Sequence, residues 1–328
     1  MTAQATGGAG AGSSCLVCLR TVPRGEYHVA CLRRIFGADV PPAIDITEAT
    51  LQAVALTTLG RTVMPGVQPK ISLGLVRGRR RTLRIEAGAR QRYILKPQNA
   101  DFPAMPENEH LSMQMARRFG IQVPEHGLIR LLDGSLAYIV ERFDRLPDGR
   151  KLRQEDFAQL AGLTTSAKYD LFASDCAGLV ERFSSRARAD LIRLFERFVL
   201  SWWIGDGDLH AKNLSLLTGL DGRHSISPAY DIVSSAVYKE SSSALALPLA
   251  PEDVLLSAAG WARFAGTCRI PATVAAGILR RPAGQLAAAI ELVDRSRLPT
   301  RALRSDYREC IAARAAALEE WGHVLPGA

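Results

Sequence analysis

The chain has 328 residues, 47% of them hydrophobic and 23% charged, an ordinary globular balance that excludes a disordered or fibrous chain and leaves room for two packed lobes. No apolar run approaches the ~20 residues of a membrane span, and the small polar start, Met1 to Ser14, lacks the basic and apolar regions of a signal peptide, so a cytoplasmic protein with no membrane partner is expected. A net charge of +8 favours a polyanionic partner (nucleic acid, nucleotide or acidic protein surface), while six cysteines are too few and too unevenly spread for a disulfide scaffold.

Residues 1–14 read as a disordered tail. The compact segment that follows, 15–42, contains Cys15-x-x-Cys18 and His28-x-x-Cys31. Two close pairs of soft ligands suit a tetrahedral Zn²⁺ knuckle, which can hold a segment too small for its own core. The alternative is three buried thiols and a surface histidine. Pro41-Pro42 breaks the chain. Thr47 to Leu59 then reads as a short helix, with Leu51, Val54, Ala55 and Leu59 at helical spacing. Lys70 to Val76, Thr82 to Glu86 and Tyr93 to Lys96 resemble strands. Arg77, Arg79, Arg80, Arg81 and Arg84 crowd the connection between the first two, as a solvated hairpin turn rather than a nucleic-acid patch.

Pro106 to Phe119 reads as a helix opening on Pro and Glu residues that suit an N-terminus. Gly127 to Leu132 and Leu136 to Phe143 form a hairpin around Asp133-Gly134. From Glu155 onward helical patterns dominate. Ala189 to Ile204 is apolar on more than one face, the mark of a buried helix, and Pro271 to Ala289 and Thr300 to Trp321 are rich in Ala and Arg. Cys176, Cys268 and Cys310 are expected to pack in the interior. The expected architecture is α+β: a small antiparallel-sheet N-lobe over 43–145 and a mainly helical C-lobe over 146–328. The cleft between them is the natural site.

The densest chemistry lies in Trp202-Trp-Ile-Gly-Asp-Gly-Asp-Leu-His-Ala-Lys-Asn213, where a very apolar run meets two aspartates, a histidine, a lysine and an asparagine. Phosphoryl transfer needs an Asp to accept the acceptor hydroxyl's proton and, four intervening residues later, an Asn to hold Mg²⁺. Asp208 and Asn213 have that spacing. A second metal-binding Asp is expected on a later loop, and Ser227-Pro-Ala-Tyr-Asp231 supplies one after a strand-like Ser225 to Ser227, unless Asp231 merely caps a helix. A lysine for the ATP phosphates is expected to end an N-lobe strand, as Tyr93-Ile-Leu-Lys96 does. The Gly-containing turn before it, Pro65-Gly-Val-Gln-Pro-Lys70, adds Gly66 and Lys70 to the cofactor-binding set, although a single Gly makes no Walker A loop. Two rival readings stay open: a metal-dependent phosphohydrolase using Asp206, Asp208, His210 and Asp231, and an inactive kinase-fold binding module.

Over roughly Leu59 to Tyr238 the chain resembles the HipA-like serine/threonine kinase toxins. The matching stretches are Gly66-Val-Gln-Pro-Lys70, Tyr93-Ile-Leu-Lys-Pro97, Glu107-Asn-Glu-His110, Val140-Glu-Arg-Phe-Asp-Arg145, Gln154-Glu-Asp-Phe157, Asp208-Leu-His-Ala-Lys-Asn-Leu-Ser215 and Pro228-Ala-Tyr-Asp231. The chain looks like the short, HipT-type branch, because the extra N-terminal subdomain of full-length members has no room before Leu59. The resemblance implies that Lys96 neutralises the ATP phosphates, that Glu141 and Phe143 lie in the hinge that holds the adenine, that Asp208 is the catalytic base with His210 beside it, and that Asn213 and Asp231 ligate Mg²⁺. Glu107 or Glu109 would be the ion-pair partner of Lys96. It further implies an aminoacyl-tRNA synthetase as protein substrate, a helix-turn-helix antitoxin through which DNA is met only indirectly, and a separate protein standing in for the N-terminal subdomain. One departure stands out. Family members carry a serine before the Gly-rich loop whose autophosphorylation silences the kinase, and here the stretch reads Val63-Met64-Pro65, with only Thr62 and Ser72 nearby.

Overall fold

The computed structural model describes residues 13–51, 70–76, 78–85, 91–99, 101–238, 245–253 and 255–325. Gly66, Thr62, the Val63-Met64-Pro65 stretch, Arg77 and Glu86 lie outside the described residues, as does the part of the Thr47–Leu59 helix beyond Leu51. Residues 48–51 are helical. Ser13 and Ser14, placed in the tail by the sequence, already pair into the next segment: Ser14 bridges Thr21, and Ser13 O accepts the Val22 N–H.

After α1 (Val29–Phe36), six strands form one sheet: β1 (Ala43–Ile44), β2 (Ile71–Val76), β3 (Thr82–Ile85), β4 (Tyr93–Lys96), β5 (His126–Arg130) and β6 (Leu136–Glu141), in the order β1-β3-β2-β4-β6-β5. All neighbours are antiparallel except the short parallel pair β1–β3. The arginine-rich segment is the turn between β2 and β3, and Arg81 folds back to donate to the Phe36 carbonyl at the end of α1. Three of the four residues of β4 are buried, as its central place requires, so Lys96 at its end is delivered into the interior rather than to solvent.

Helix α2 (Met105–Phe119) crosses beside β5 and β6. It then touches the helical part of the chain: α3 (Phe157–Leu160), α4 (Ala173–Phe183), α5 (Ala187–Ile204), α6 (Ala258–Thr267), α7 (Ala272–Arg295) and α8 (Arg301–His323). The sequence reads this region as mainly helical, with a strand-like run at Ser225 to Ser227. A second antiparallel sheet of three strands lies inside it, β7 (Gln154–Asp156), β8 (Ser215–Thr218) and β9 (His224–Ile226). Helix α7 runs on to Arg295 through Pro282, and Cys310 is half-buried, whereas Cys176 and Cys268 are buried as expected. The fold is the α+β, two-lobe, protein-kinase-like one. No helix among the described residues is long and apolar enough to cross a membrane.

Helix α5 is buried along most of its length and stops at Gly205, which takes a left-handed conformation (φ 73°) and donates its N–H to Trp202 O. A Cβ here would sit 2.5 Å from Ala236 Cβ, so only glycine fits both the backbone and the space. The chain therefore leaves the core abruptly, and its next residues are Asp206, Gly207 and Asp208.

Candidate active site

A buried lysine, an exposed one and two carboxylates meet at the end of β4. Lys96 Nζ donates to Glu109 Oε1 on α2 and to Asp231 Oδ1, each at 2.5 Å, and Lys70 Nζ reaches Asp231 Oδ2 at 2.5 Å. Lys96 is 3% exposed and Glu109 1%. Burial depresses the Lys96 ammonium, but the charges of Asp231 and Glu109 overcome it and hold its pKa up at about 12. Burial likewise raises Asp231, and Lys70 and Lys96 more than reverse this, keeping its carboxyl well below the usual range. At Glu109 burial prevails over Lys96, pushing the carboxyl up to about 7. The sequence could not choose between Glu107 and Glu109; the structure selects Glu109. Glu107 Oε2 has no partner, and burial raises its carboxyl to about 6.

Asp231 does not cap a helix. It sits in a loop with φ 60°, a conformation uncommon for non-glycine residues, of a kind found where surrounding contacts over-determine the backbone. Those contacts are visible on both sides. Tyr230 OH donates to Lys212 O (2.9 Å) and its ring meets Phe143 (centroids 5.6 Å apart). Asn108 of α2 brackets Ser234, its Nδ2 donating to Ser234 O (2.8 Å) and its Oδ1 accepting Ser234 N–H (3.1 Å).

Asp208 is exposed and faces the cleft. Asn213 Nδ2 donates to its backbone oxygen at 3.0 Å, closing the loop that the five-residue spacing predicted. His210 Nε2 lies 3.8 Å from Asp208 Oδ1, and burial lowers the imidazole's pKa against the pull of Asp208, so the ring is neutral. Tyr169 was not anticipated: its hydroxyl donates to Asp208 Oδ1 and its ring meets His210 edge-on. Asp206 is buried, with Oδ1 accepting the Asp208 N–H at 3.0 Å, and burial drives its carboxyl well above the usual range. Asp206 does not line the cleft, whereas Asp208, His210 and Asp231 do, which disfavours the four-residue phosphohydrolase site.

Several of the stretches that carry the family resemblance are braces. Asp156 accepts Gln159 N–H to start α3 and pairs with Lys212 at 3.1 Å, while Gln154 Nε2 donates to Ser215 Oγ (3.0 Å), tying β7 to the Asp208–Asn213 loop. Asp144, buried, takes Arg142 and Arg145 together and fixes the turn after β6. The cleft so framed encloses about 830 Å³. Lys70, Glu141, Phe143, Asp208, His210, Asn213 and Asp231 all line it; Lys96 stands behind Asp231. Cys15, Cys18, His28 and Cys31 form a separate cluster of their own.

The ion-pair geometry makes a sharp contrast between neighbours. Glu109→Gln removes one charged hydrogen bond to Lys96, worth about 1.5–3 kcal/mol. It should lower any Lys96-dependent turnover roughly 10–100-fold, whereas Glu107→Gln should stay within about threefold of wild type by the same conversion. Parallel steady-state assays of the two variants check this; equal losses would mean that Lys96 does not depend on Glu109.

The sequence model for the HipA-like C-terminal domain matches residues 62–290. The chain is 32% identical over 215 residues to "Putative kinase Y4mE" of Sinorhizobium fredii, covering 62% of this chain and 50% of that protein. It is 34% identical over 226 residues to "Putative kinase Y4dM" of the same organism, covering 64% and 53%. The chain thus spans about half the length of these curated relatives. Among solved structures, HipA of Shewanella oneidensis MR-1, determined with HipB and operator DNA, superposes with a TM-score of 0.66 at 20% identity, over 88% of this chain and 76% of that one. The proinflammatory kinase CtkA of Helicobacter pylori gives 0.54 at 14% identity, over 70% and 89%. At these identities the two structures share the fold.

Proposed function

The chain belongs to the family of HipA-like C-terminal domains, and on that footing we propose that it is an ATP-dependent serine/threonine protein kinase of the short HipT-type branch, the toxin of a toxin–antitoxin module. The lobes are taken as residues 43–145 and 146–328. The observation that carries the reading is the convergence of the Lys96–Asp231 ion pair and the Asp208–Asn213 loop on one cleft. Lys96 and Lys70 offer two ammonium groups for ATP phosphates, and Glu141 and Phe143 border the space for adenine. Asn213 and Asp231 are hard oxygen donors of the kind Mg²⁺ prefers. Bound there, the metal would neutralise charge developing on the transferred phosphoryl group. Asp208 is the exposed carboxylate that would take the proton from an incoming serine or threonine hydroxyl, in competition with the Tyr169 hydroxyl already bonded to it. His210 lies beside it, Nε2 3.8 Å from Asp208 Oδ1, on the side where the phosphates would sit.

For the substrate, the family resemblance favours an aminoacyl-tRNA synthetase. For partners it favours a helix-turn-helix antitoxin, in keeping with the HipB and operator DNA that accompany the Shewanella protein, and a separate protein supplying an N-terminal subdomain. Incubation with γ-labelled ATP, Mg²⁺ and a cell lysate, followed by peptide identification, tests the reading. Label on serine or threonine of one protein is the expected result. Phosphate release from phosphorylated substrates without ATP would instead establish the phosphohydrolase, and absence of ATP binding the inactive module.

Tyr169 donates to the same Asp208 oxygen that an acceptor hydroxyl needs. A bond of this type is worth about 0.5–1.5 kcal/mol net. Tyr169→Phe should therefore lower KM for the protein substrate roughly 2–10-fold, with kcat little changed. A fall in kcat with KM constant would make the tyrosine part of the chemistry instead.

A further inference from the structure

The Cys/His cluster lies outside the cleft, and the kinase reading makes no use of it. Cys15, Cys18, His28 and Cys31 each offer one ligand atom, and the four atoms all lie within 4.8 Å of one another. Tetrahedral zinc bound by sulfur and nitrogen spaces its ligand atoms roughly 3.5–3.8 Å apart. Cys18 Sγ and His28 Nδ1, at 3.4 Å, already stand at that separation. The opposite ring nitrogen, His28 Nε2, is 3.0 Å from Thr21 O. A carbonyl can only accept, so Nε2 carries a proton and Nδ1 is the ring nitrogen left facing the cysteines, the arrangement by which outer contacts orient a ligating histidine. Val17 N–H points at Cys15 Sγ (3.4 Å), a contact that suits a thiolate. All four ligands are soft or borderline and no carboxylate is among them, a donor set for Zn²⁺ rather than Mg²⁺ or Ca²⁺.

What the loop between the cysteines touches gives the cluster a purpose. Val17 O accepts from His110 Nε2 (3.0 Å) and from Gln114 Nε2 (2.7 Å), both buried on α2. His110 is the neighbour of Glu109, the partner of Lys96. The preceding carbonyl, Leu16 O, accepts Leu128 N–H of β5 at 2.7 Å. Gly127 on the same strand has no side chain to spare, since a Cβ would come within 3.0 Å of Leu16 O and of Val17 Cγ2. Leu16 and Leu19 enter the large core shared with the helices, while Cys15, Val17 and Cys31 belong to the core of the six-stranded sheet. The loop is wedged between both cores, and locally it is shaped by an isolated bridge, by α1 and by a few turn hydrogen bonds such as Leu16 N–H to Glu26 O and Leu19 N–H to Cys15 O, with no longer element of its own.

We propose that Cys15, Cys18, His28 and Cys31 bind one Zn²⁺ in a closed tetrahedral site, and that this metal is a strut: it stiffens the Leu16–Val17 loop on which α2, and with it Glu109, is seated. A structural zinc supplies folding free energy directly, and here the loop it rigidifies carries the Val17 carbonyl to which α2 is bonded and the Leu16 carbonyl to which β5 is bonded.

The test uses the full chain. Elemental analysis after purification without chelator should find about one zinc per chain. Exchange for Co²⁺ should give the visible absorption of a tetrahedral thiolate site. Stripping the metal with a chelator should then speed amide hydrogen exchange across Met105–Phe119 by about tenfold or more, the behaviour of an element whose support has been loosened, while a control helix such as α4 is unchanged. Cys18→Ser, at a half-buried position, should lose zinc yet remain folded by circular dichroism; should it fail to fold, chelation of the wild-type chain decides the matter alone. Absence of zinc from both native and zinc-supplemented protein would overturn the site. Zinc present but removable with no change in α2 exchange would overturn the strut. Neither readout depends on kinase activity, so failure here is distinguishable from failure of the proposed reaction.

Discussion

Asp208→Asn is expected to slow phosphoryl transfer by about 10²–10⁴-fold, the usual cost of losing a general base, with ATP affinity nearly unchanged. The substitution is isosteric, and the contact that shapes the loop survives it: Asn213 Nδ2 bonds the backbone oxygen of residue 208, not its carboxylate. Lys96 and Asp231, which would face the phosphates and metal, touch neither side of the change. Nor is there a ready substitute. His210 Nε2 lies 3.8 Å away from the Asp208 carboxylate, and Asp206 is buried, with its carboxyl pushed above the usual range by burial. Single-turnover transfer of labelled phosphate, beside calorimetric ATP binding, measures the two quantities separately. Transfer at near wild-type rate would remove Asp208 from its role.

The parts of this site that the sequence made legible are those whose spacing is local. Asp208 and Asn213 are joined by one short loop, and their contact follows from the chain between them. Lys96 could be placed because a strand must end where its alternation ends. The choice between Glu107 and Glu109 was not legible, and α2 explains why. Its buried face includes Asn108, Glu109, His110, Ser112 and Gln114, so polarity does not mark the solvent side and helical periodicity loses its meaning. Buried polar residues of this kind are readable only through partners: Ser234 for Asn108, Tyr307 for Ser112, Val17 for His110 and Gln114. Tyr169 reaches Asp208 from 39 positions away, beyond any motif. Of the β7–β8–β9 sheet only the run at β9 reads as strand-like, because strands of three or four residues are too short to show a period of two. The left-handed backbone of Asp231 is likewise invisible in a sequence, since the two lysines that hold it come from the other lobe.

Lys96→Met should have the largest effect on stability as well as abolishing turnover. Lys96 is the only cation in contact with Glu109 among the described residues, whose other carboxyl oxygen has no partner. Removing one member of a buried pair strands the other charge, at a cost of about 3–5 kcal/mol, a large part of the ~5–15 kcal/mol by which proteins are stable. Asp231 suffers less, because Lys70 remains on its second oxygen. The double variant Lys96→Met with Glu109→Gln removes both charges, so it should recover about half or more of the lost stability while staying inactive, since neither change restores a cation for the phosphates. The pH dependence gives an independent sign. Burial already raises Glu109 from 4.5 to about 7 in the wild type, and losing Lys96 raises it further. A raised carboxyl binds its proton more tightly folded than unfolded, so stability falls as pH rises through 4.5 to 7 and beyond. The deficit of Lys96→Met should therefore be greatest above pH 7 and shrink towards pH 5, and the double variant should lose that dependence. Denaturant melts of the three proteins across that range measure it. A deficit independent of pH, or one undiminished in the double variant, would mean that the lysine supports the fold by packing against Tyr138, whose ring centroid lies 5.5 Å from Nζ, rather than by pairing with Glu109.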